Sequence, residues 1–316
     1  MTQQITLALD WTPNTNHIGF YVAIGKGWYQ AAGLEVVLRS PEEDNYQTTP
    51  AAKVVQGTAM LAIAPSESAL SYYLHPTKPS LVAIAALAQR DTSAIVTLAS
   101  SGIDRPAKLD GRRYASYNAR FERAIVAQMI RNDGGKGEFD EIFPPKLGIW
   151  NTLLTGNADA TWVFLPWEGV QARRAGITLN AFRLDDYGIP YGYTPVLLAH
   201  PLAVRKYADS LRAFLAATAE GYRFAVEHPT EAVELLIATA NHPDLSDPAF
   251  VAESWHELAP ALLTDDGRWG VMKSQRWWAF VEWIERRGMV VDRRGQPIPL
   301  APDTYRELFT NELLIG

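Results

Sequence analysis

Four short apolar runs, Ile5–Leu9, Leu34–Leu38, Ala59–Ile63 and Leu81–Leu87, alternate with helical patterns along the start of the chain. Runs this short and this apolar read as buried strands. Strands separated by helices imply a mostly parallel sheet, with helices on both faces. The spacing predicts helices over 17–26, up to Lys53–Gln56 and over 69–74. Thr15 or Asn16 caps the first, and Pro65-Ser66-Glu67-Ser68 opens the third.

A second αβ unit begins near Thr92. It has predicted strands at 94–99, 113–115 and 161–164 and helices over 119–131 and from Pro166 to Gly176, with Asn151–Thr155 also helical. Thr194–Ala199 resumes as a strand. From Asp209 onward the pattern is helical. Leu211, Phe214, Leu215, Thr218 and Tyr222 share one face, and Asp247-Pro248 marks a helix start. Two αβ units followed by helices imply two lobes: 1–90 with 195–316, and 91–194. The chain would cross between them near Ala88–Thr92 and Gly192–Val196.

The 316 residues allow about two domains. A hydrophobic share of 47% and a charged share of 20% exclude a disordered chain. The net charge of −6 argues against nucleic acid as a partner. No apolar stretch approaches the ~18–20 residues that cross a bilayer. Cysteine is absent, which removes disulfides, thiolate metal sites and a cysteine nucleophile. No metal is expected.

Ligands of open α/β sheets bind beyond the carboxyl ends of parallel strands, here in an interlobe cleft. That rule selects a few loops. Trp11, Asn14 and His17 offer an indole face with polar partners, as a planar heterocycle needs. Alternatively, Trp11 packs under the loop and Asn14 makes an Asx turn. Ser66 and Glu67 open a helix whose N–H groups suit a polar ligand, or Ser66 is a plain N-cap. Tyr117 and Asn118 also precede a helix, with Glu122 and Arg123 read as its solvated charged face. Trp167 beside Glu168 joins a ring to a carboxylate, while Trp150 and Trp162 read as core. The segment Asp185–Thr194 holds Asp186, Tyr187, Tyr191 and Tyr193 among Gly and Pro, which suits a shaped aromatic wall.

Several chemistries are missing. The chain has no Walker loop, no G-x-G-x-x-G after a strand, no H-E-x-x-H and no G-x-S-x-G. His75, His200, His228 and His242 each precede a proline and read as helix ends and turns.

The run Leu9-Asp10-Trp11-Thr12-Pro13-Asn14-Thr15-Asn16-His17, then Tyr21-Val22-Ala23 and Gly25-Lys26-Gly27-Trp28-Tyr29, resembles the opening of a known family. That family contains fungal thiamine-pyrimidine synthases and bacterial ThiY-type pyrimidine-binding proteins. The resemblance continues through Ser101–Asp104, Asp110–Arg112, Gly156–Ala160 and Asp186–Pro190 to the Trp-rich helix around Arg276-Trp277. It implies the type II periplasmic-binding-protein fold, two αβ lobes with an interlobe cleft and two crossover strands. It also implies a pyrimidine precursor of thiamine as ligand and an ABC permease as partner.

The resemblance implies little for catalysis. The synthase branch carries a Lys that holds pyridoxal phosphate and a His consumed as substrate; those positions match Ala64 and Ser68 here. A Schiff base needs an amine, and Ala64 has none. Its Cys-rich run matches Gly188–Thr194, which lacks Cys. Binding members can carry a Glu where Thr194 aligns, so Glu67 or Glu168 takes over that edge or the ligand differs. The expectation is a non-catalytic, cofactor-free binding protein for a flat heterocycle. The rivals are a synthase-like enzyme and a carrier for a sulfonate, taurine or another aromatic. No signal peptide precedes Ile5, so the expected compartment is extracytoplasmic if a leader was removed and cytoplasmic if Met1 is the native start.

Overall fold

The computed structural model describes all residues except Met1, Pro76, Lys78, Pro79, Pro145, Lys146, Arg293, Ile315 and Gly316. Among the described residues there are ten strands: β1 Gln3–Ala8, β2 Leu34–Arg39, β3 Leu61–Ala64, β4 Val82–Ala86, β5 Ser93–Leu98, β6 Arg113–Ala115, β7 Asp140–Ile142, β8 Ala160–Phe164, β9 Leu179–Phe182 and β10 Val196–Ala199. They form two sheets, each in its own compact unit. The first unit is Met1–Asp91, Gly192–Trp278 and Leu300–Gly316. The second is Thr92–Tyr191 with Ala279–Pro299. The segment Ala279–Pro299, which the sequence boundaries leave in the first lobe, therefore joins the second unit.

The first sheet runs β2-β1-β3-β10-β4. β1 pairs in parallel with β2 and β3, whereas β10 lies antiparallel between β3 and β4. The sheet is thus parallel among its helix-linked strands β1, β2 and β3, as their spacing predicts, with β10 as an antiparallel insert. β10 arrives from the other unit, and a buried run such as Val196-Leu197-Leu198-Ala199 carries no sign of its direction. β3, β4 and β10 are buried along their whole lengths, as strands covered on both faces must be.

The second sheet repeats the plan as β7-β6-β8-β5-β9, with β5 as the antiparallel insert. One of its cores gathers Ala94, Val96, Ala115, Ile149, Leu153 and Val163. The short edge strands β7 and β9 escape the sequence pattern because they are half-exposed and only three and four residues long. Asn151–Thr155 is a run of turns, not a helix.

In the first unit, the helix Ile18–Gly25 crosses the long helix Ala208–Glu227 at two glycines. A Cβ on Gly221 would stand 2.1 Å from the Gly19 carbonyl oxygen, and one on Gly19 would stand 2.2 Å from the Tyr222 ring. Only hydrogen at both positions permits this approach. The approach lets the Tyr222 hydroxyl donate to the Asn16 carbonyl. The helical core thereby grips the loop that follows β1.

The histidines beside prolines stand at helix ends and turns. The Leu202 N–H donates to His200 Nδ1, and the Asp244 N–H donates to His242 Nδ1. His75 contacts Thr77, while its neighbour Pro76 lies outside the described residues. No described helix is long and apolar enough to cross a membrane.

Candidate functional site

The first unit's parallel strands end on one edge of its sheet. The loops there are Leu9–His17 after β1, Ser40–Tyr46 after β2 and Pro65–Glu67 after β3, joined by the approach to β10 through Tyr193.

The loop after β1 is held by its own side chains. Asn14 caps the 3-10 turn Thr15–His17, in place of the predicted Thr15 or Asn16. Its Oδ1 accepts from the Asn16 N–H at 2.8 Å and its Nδ2 donates to the Thr12 carbonyl at 2.9 Å. This is the Asx turn that the sequence allows. His17 is fully buried. Its Nδ1 accepts from the Asn14 N–H, so the ring proton sits on Nε2 and is donated to Asp10 Oδ1 at 2.8 Å. Both Asn14 and His17 therefore position the loop. Thr12 adds a bond to Asp244 at 2.8 Å.

Trp11 is the half-buried member of this loop. Its ring meets Tyr46 at 5.4 Å between centroids, tilted by 54°. Tyr46 was not singled out from sequence. It follows Asn45, and both take positive φ, which turns the ring back toward Trp11. Burial, followed by the Glu42 and Asp244 carboxylates, pushes the Tyr46 phenol up to about 12. The phenol therefore stays protonated at neutral pH.

Ser66 is fully buried beyond β3. Its N–H donates to the Tyr193 carbonyl at 2.8 Å. Its hydroxyl does not cap the helix Glu67–Tyr73 and has no hydrogen-bond partner among the described residues. A buried hydroxyl without a partner costs free energy, and such groups often mark a ligand or water position. Glu67 beside it is also buried.

Tyr193 is 1% exposed. Its hydroxyl accepts from the Lys273 N–H at 2.8 Å, and the Arg276 guanidinium lies 4.4 Å over its ring. Arg276 also donates to the Gly192 and Gln89 carbonyls. Tyr193 is thus committed to its own fold. Arg276 had no sequence signal beyond its place in a Trp-rich helix.

The second unit presents its candidates in two groups. At the carboxyl ends of β6 and β8, Tyr117 is 46% exposed and its hydroxyl reaches the Trp162 carbonyl at 3.4 Å. Asn118 takes φ of +59° and its N–H donates to Ser116 Oγ. Trp167 and Glu168 are buried in a π-helical turn, where Glu168 accepts from the Phe164 N–H at 3.1 Å. Tyr191 is buried against Trp162 and Phe280.

Asp186 and Tyr187 form the other group. The Asn132 side chain donates to the Tyr187 carbonyl at the last residue of the helix Glu122–Asn132, away from the carboxyl end of β6. The Tyr187 ring meets Phe182 edge-on at 6.4 Å between centroids.

Two further expectations are corrected. Glu122 is 1% exposed rather than part of a solvated face. It accepts from the Tyr114 hydroxyl and the Tyr117 and Ala119 N–H groups, while burial pushes its carboxyl above the ordinary value. Trp150, read as core, is 41% exposed. Among the described residues no three His, Asp or Glu side chains gather as a metal site.

These loops can be set beside known proteins. A family described as "NMT1/THI5 like" matches residues 14–232. The chain belongs to that family. It is 25% identical over 311 residues to the formylaminopyrimidine-binding protein of Halalkalibacterium halodurans, covering 97% of this chain and 90% of that one. It is 23% identical over 333 residues to the riboflavin-binding protein RibY of Chloroflexus aurantiacus, covering 99% and 87%. The alkanesulfonate-binding protein SsuA from Xanthomonas axonopodis pv. citri, solved bound to MOPS, superposes with a TM-score of 0.68 at 12% identity, covering 92% and 95%. The fold is that of the periplasmic binding proteins, with two αβ units and one antiparallel strand inserted in each sheet.

Proposed function

We propose that this family member is a non-catalytic binding protein for a flat nitrogen heterocycle of the aminopyrimidine type. The observation that carries the proposal is the half-buried Trp11 ring beside Tyr46 at the strand ends of the first unit. Two aromatic faces supply a stacking surface, and the unpartnered Ser66 hydroxyl supplies a polar reader. Asn14 and His17 hold that surface in place. In the second unit, Tyr117, Asn118, Trp167 and Glu168 are the candidate contacts. Asp186, Tyr187, Tyr191 and Tyr193 are set aside, because their positions serve their own units.

The formylaminopyrimidine-binding protein of Halalkalibacterium halodurans, similar along nearly the whole chain, supports a pyrimidine. Uptake through an ABC permease, from outside the cytoplasm, completes the proposal. The residues do not fit pyridoxal phosphate at the position of the synthase lysine. Ala64 is a buried β3 residue without an amine. The name of the Chloroflexus relative favours a flavin as the second reading.

Thermal shift with formylaminopyrimidine, riboflavin and an alkanesulfonate tests the choice. A ligand at 100 times its dissociation constant stabilises by ~2.7 kcal/mol. The pyrimidine should raise Tm in wild type and lose that effect in Trp11→Ala. A shift with the sulfonate alone would overturn the proposal, as would a borohydride-reducible complex with pyridoxal phosphate.

A further inference from the structure

A cavity of about 460 Å³ opens in the first unit beside the amino ends of β1 and β3, at the opposite edge of the sheet from the Trp11 loop. It lies within the ~300–1,000 Å³ of small-molecule pockets. Its apolar side is made by Val54, Met60, Leu202 and Ala203. Val54 is buried, whereas Leu202 is 61% exposed, more than any other large apolar side chain among the described residues. Leu202 stands in the helix Pro201–Lys206, which follows β10 directly through His200.

The polar side carries a cation and no anion. Lys206 and His200 line it, and among the described lining residues there is no Asp or Glu, in a chain whose net charge is −6. Lys206 is exposed, lies 5.0 Å over the Tyr207 ring, and pairs with no carboxylate among the described residues. The Leu202 N–H donates to His200 Nδ1 at 3.1 Å, so the His200 ring proton sits on Nε2, where no described residue accepts it. Glu35 faces Gln4 in the β1–β2 register but stands outside the lining.

A small inorganic anion would leave Leu202 and Met60 in water. A neutral apolar molecule would leave the ammonium and the imidazole N–H unused. A molecule with one carboxylate and a short apolar body answers both sides at once. We propose that this cavity binds a small organic monocarboxylate, its carboxylate toward Lys206 and His200 Nε2 and its apolar body over Met60 and Leu202. The site is separate from the heterocycle site and does not rest on it.

The test uses the full isotope-labelled chain and octanoate, with octanol and octylamine as controls of equal length. Titration followed by amide NMR should move the resonances of residues 57–60 and 202–207 saturably with octanoate and leave them in place with octylamine. Octanol, which lacks the charge, should bind about tenfold more weakly. Lys206→Ala should weaken octanoate by about the same factor, and Leu202→Ser should weaken it severalfold. Both side chains are exposed, and a retained Tm shows that each variant is folded. Lys136→Ala removes an exposed lysine of the second unit and should bind like wild type. Four results would each overturn the proposal: no saturable shift, shifts centred on other residues such as the Trp11 loop, octanol bound as tightly as octanoate, or Lys206→Ala or Leu202→Ser no weaker than Lys136→Ala.

Discussion

His17 Nε2 stands 2.8 Å from Asp10 Oδ1 while His17 Nδ1 accepts the Asn14 N–H, so one buried ring ties both ends of the Trp11 loop. The carboxylate before the tryptophan and the cap after it are thereby indexed to each other. Trp11 inherits its position from this clasp.

Replacing His17 with Ala leaves Asp10 and the Asn14 N–H without that partner and opens a cavity in a fully buried place. A loss of about 2–4 kcal/mol is expected from these combined effects. Chemical denaturation measures it. If the clasp positions Trp11, affinity for the pyrimidine also falls when measured well below the variant's Tm. An unchanged affinity in a destabilised variant would confine the clasp to folding.

The glycine crossing should be less forgiving. In Gly221→Ala the new methyl group meets the Gly19 backbone, which has no side chain to swing away. Overpacking costs about 1–3 kcal/mol, and this site should lie at the upper end. The same change pulls the Tyr222 hydroxyl from Asn16. Hydrogen exchange at residues 14–18 should therefore quicken more than exchange in the second unit.

How much of this was visible in the residues differs from element to element. The buried strands and Asp247's cap ahead of Pro248 were legible, because apolar runs and capping chemistry are local. The antiparallel setting of β10 was not, because direction is fixed by where the chain re-enters the unit. Trp11 and Ser66 were legible as candidates from their place after strands. Tyr46 was not, because its value comes from a positive-φ turn that brings it onto Trp11. The partners of Tyr193 were not legible either, because the Lys273 N–H and the Arg276 guanidinium reach it from far along the chain.

Asp133 sets one limb of the pH dependence. The Arg105 guanidinium, with the Ala107 N–H, holds its carboxyl below the usual range. A folded-state value below the unfolded one adds stability that is present above the unfolded value and lost as pH falls through the folded one. Relative to Asp133→Asn, which does not titrate, wild type should therefore lose stability on acidification. Urea denaturation of both across the carboxylate range checks this, and a constant difference would show that the pair adds nothing in solution.

Glu122 sets the opposite limb. Burial raises its carboxyl although Tyr114, Tyr117 and Ala119 all donate to it. A raised folded-state value adds stability that is complete below the unfolded value, about 4.3 for Glu, and is lost as pH climbs through the higher one. Against Glu122→Gln, wild type should therefore lose ground as pH rises, the reverse of the Asp133 comparison. The two limbs separate because one carboxylate meets a guanidinium at the surface and the other is enclosed with neutral donors alone. If the Glu122 comparison instead followed the acid-side trend, the three donated hydrogen bonds would outweigh desolvation, and the turn at Ser116–Ala119 would be held by a fully ionised carboxylate.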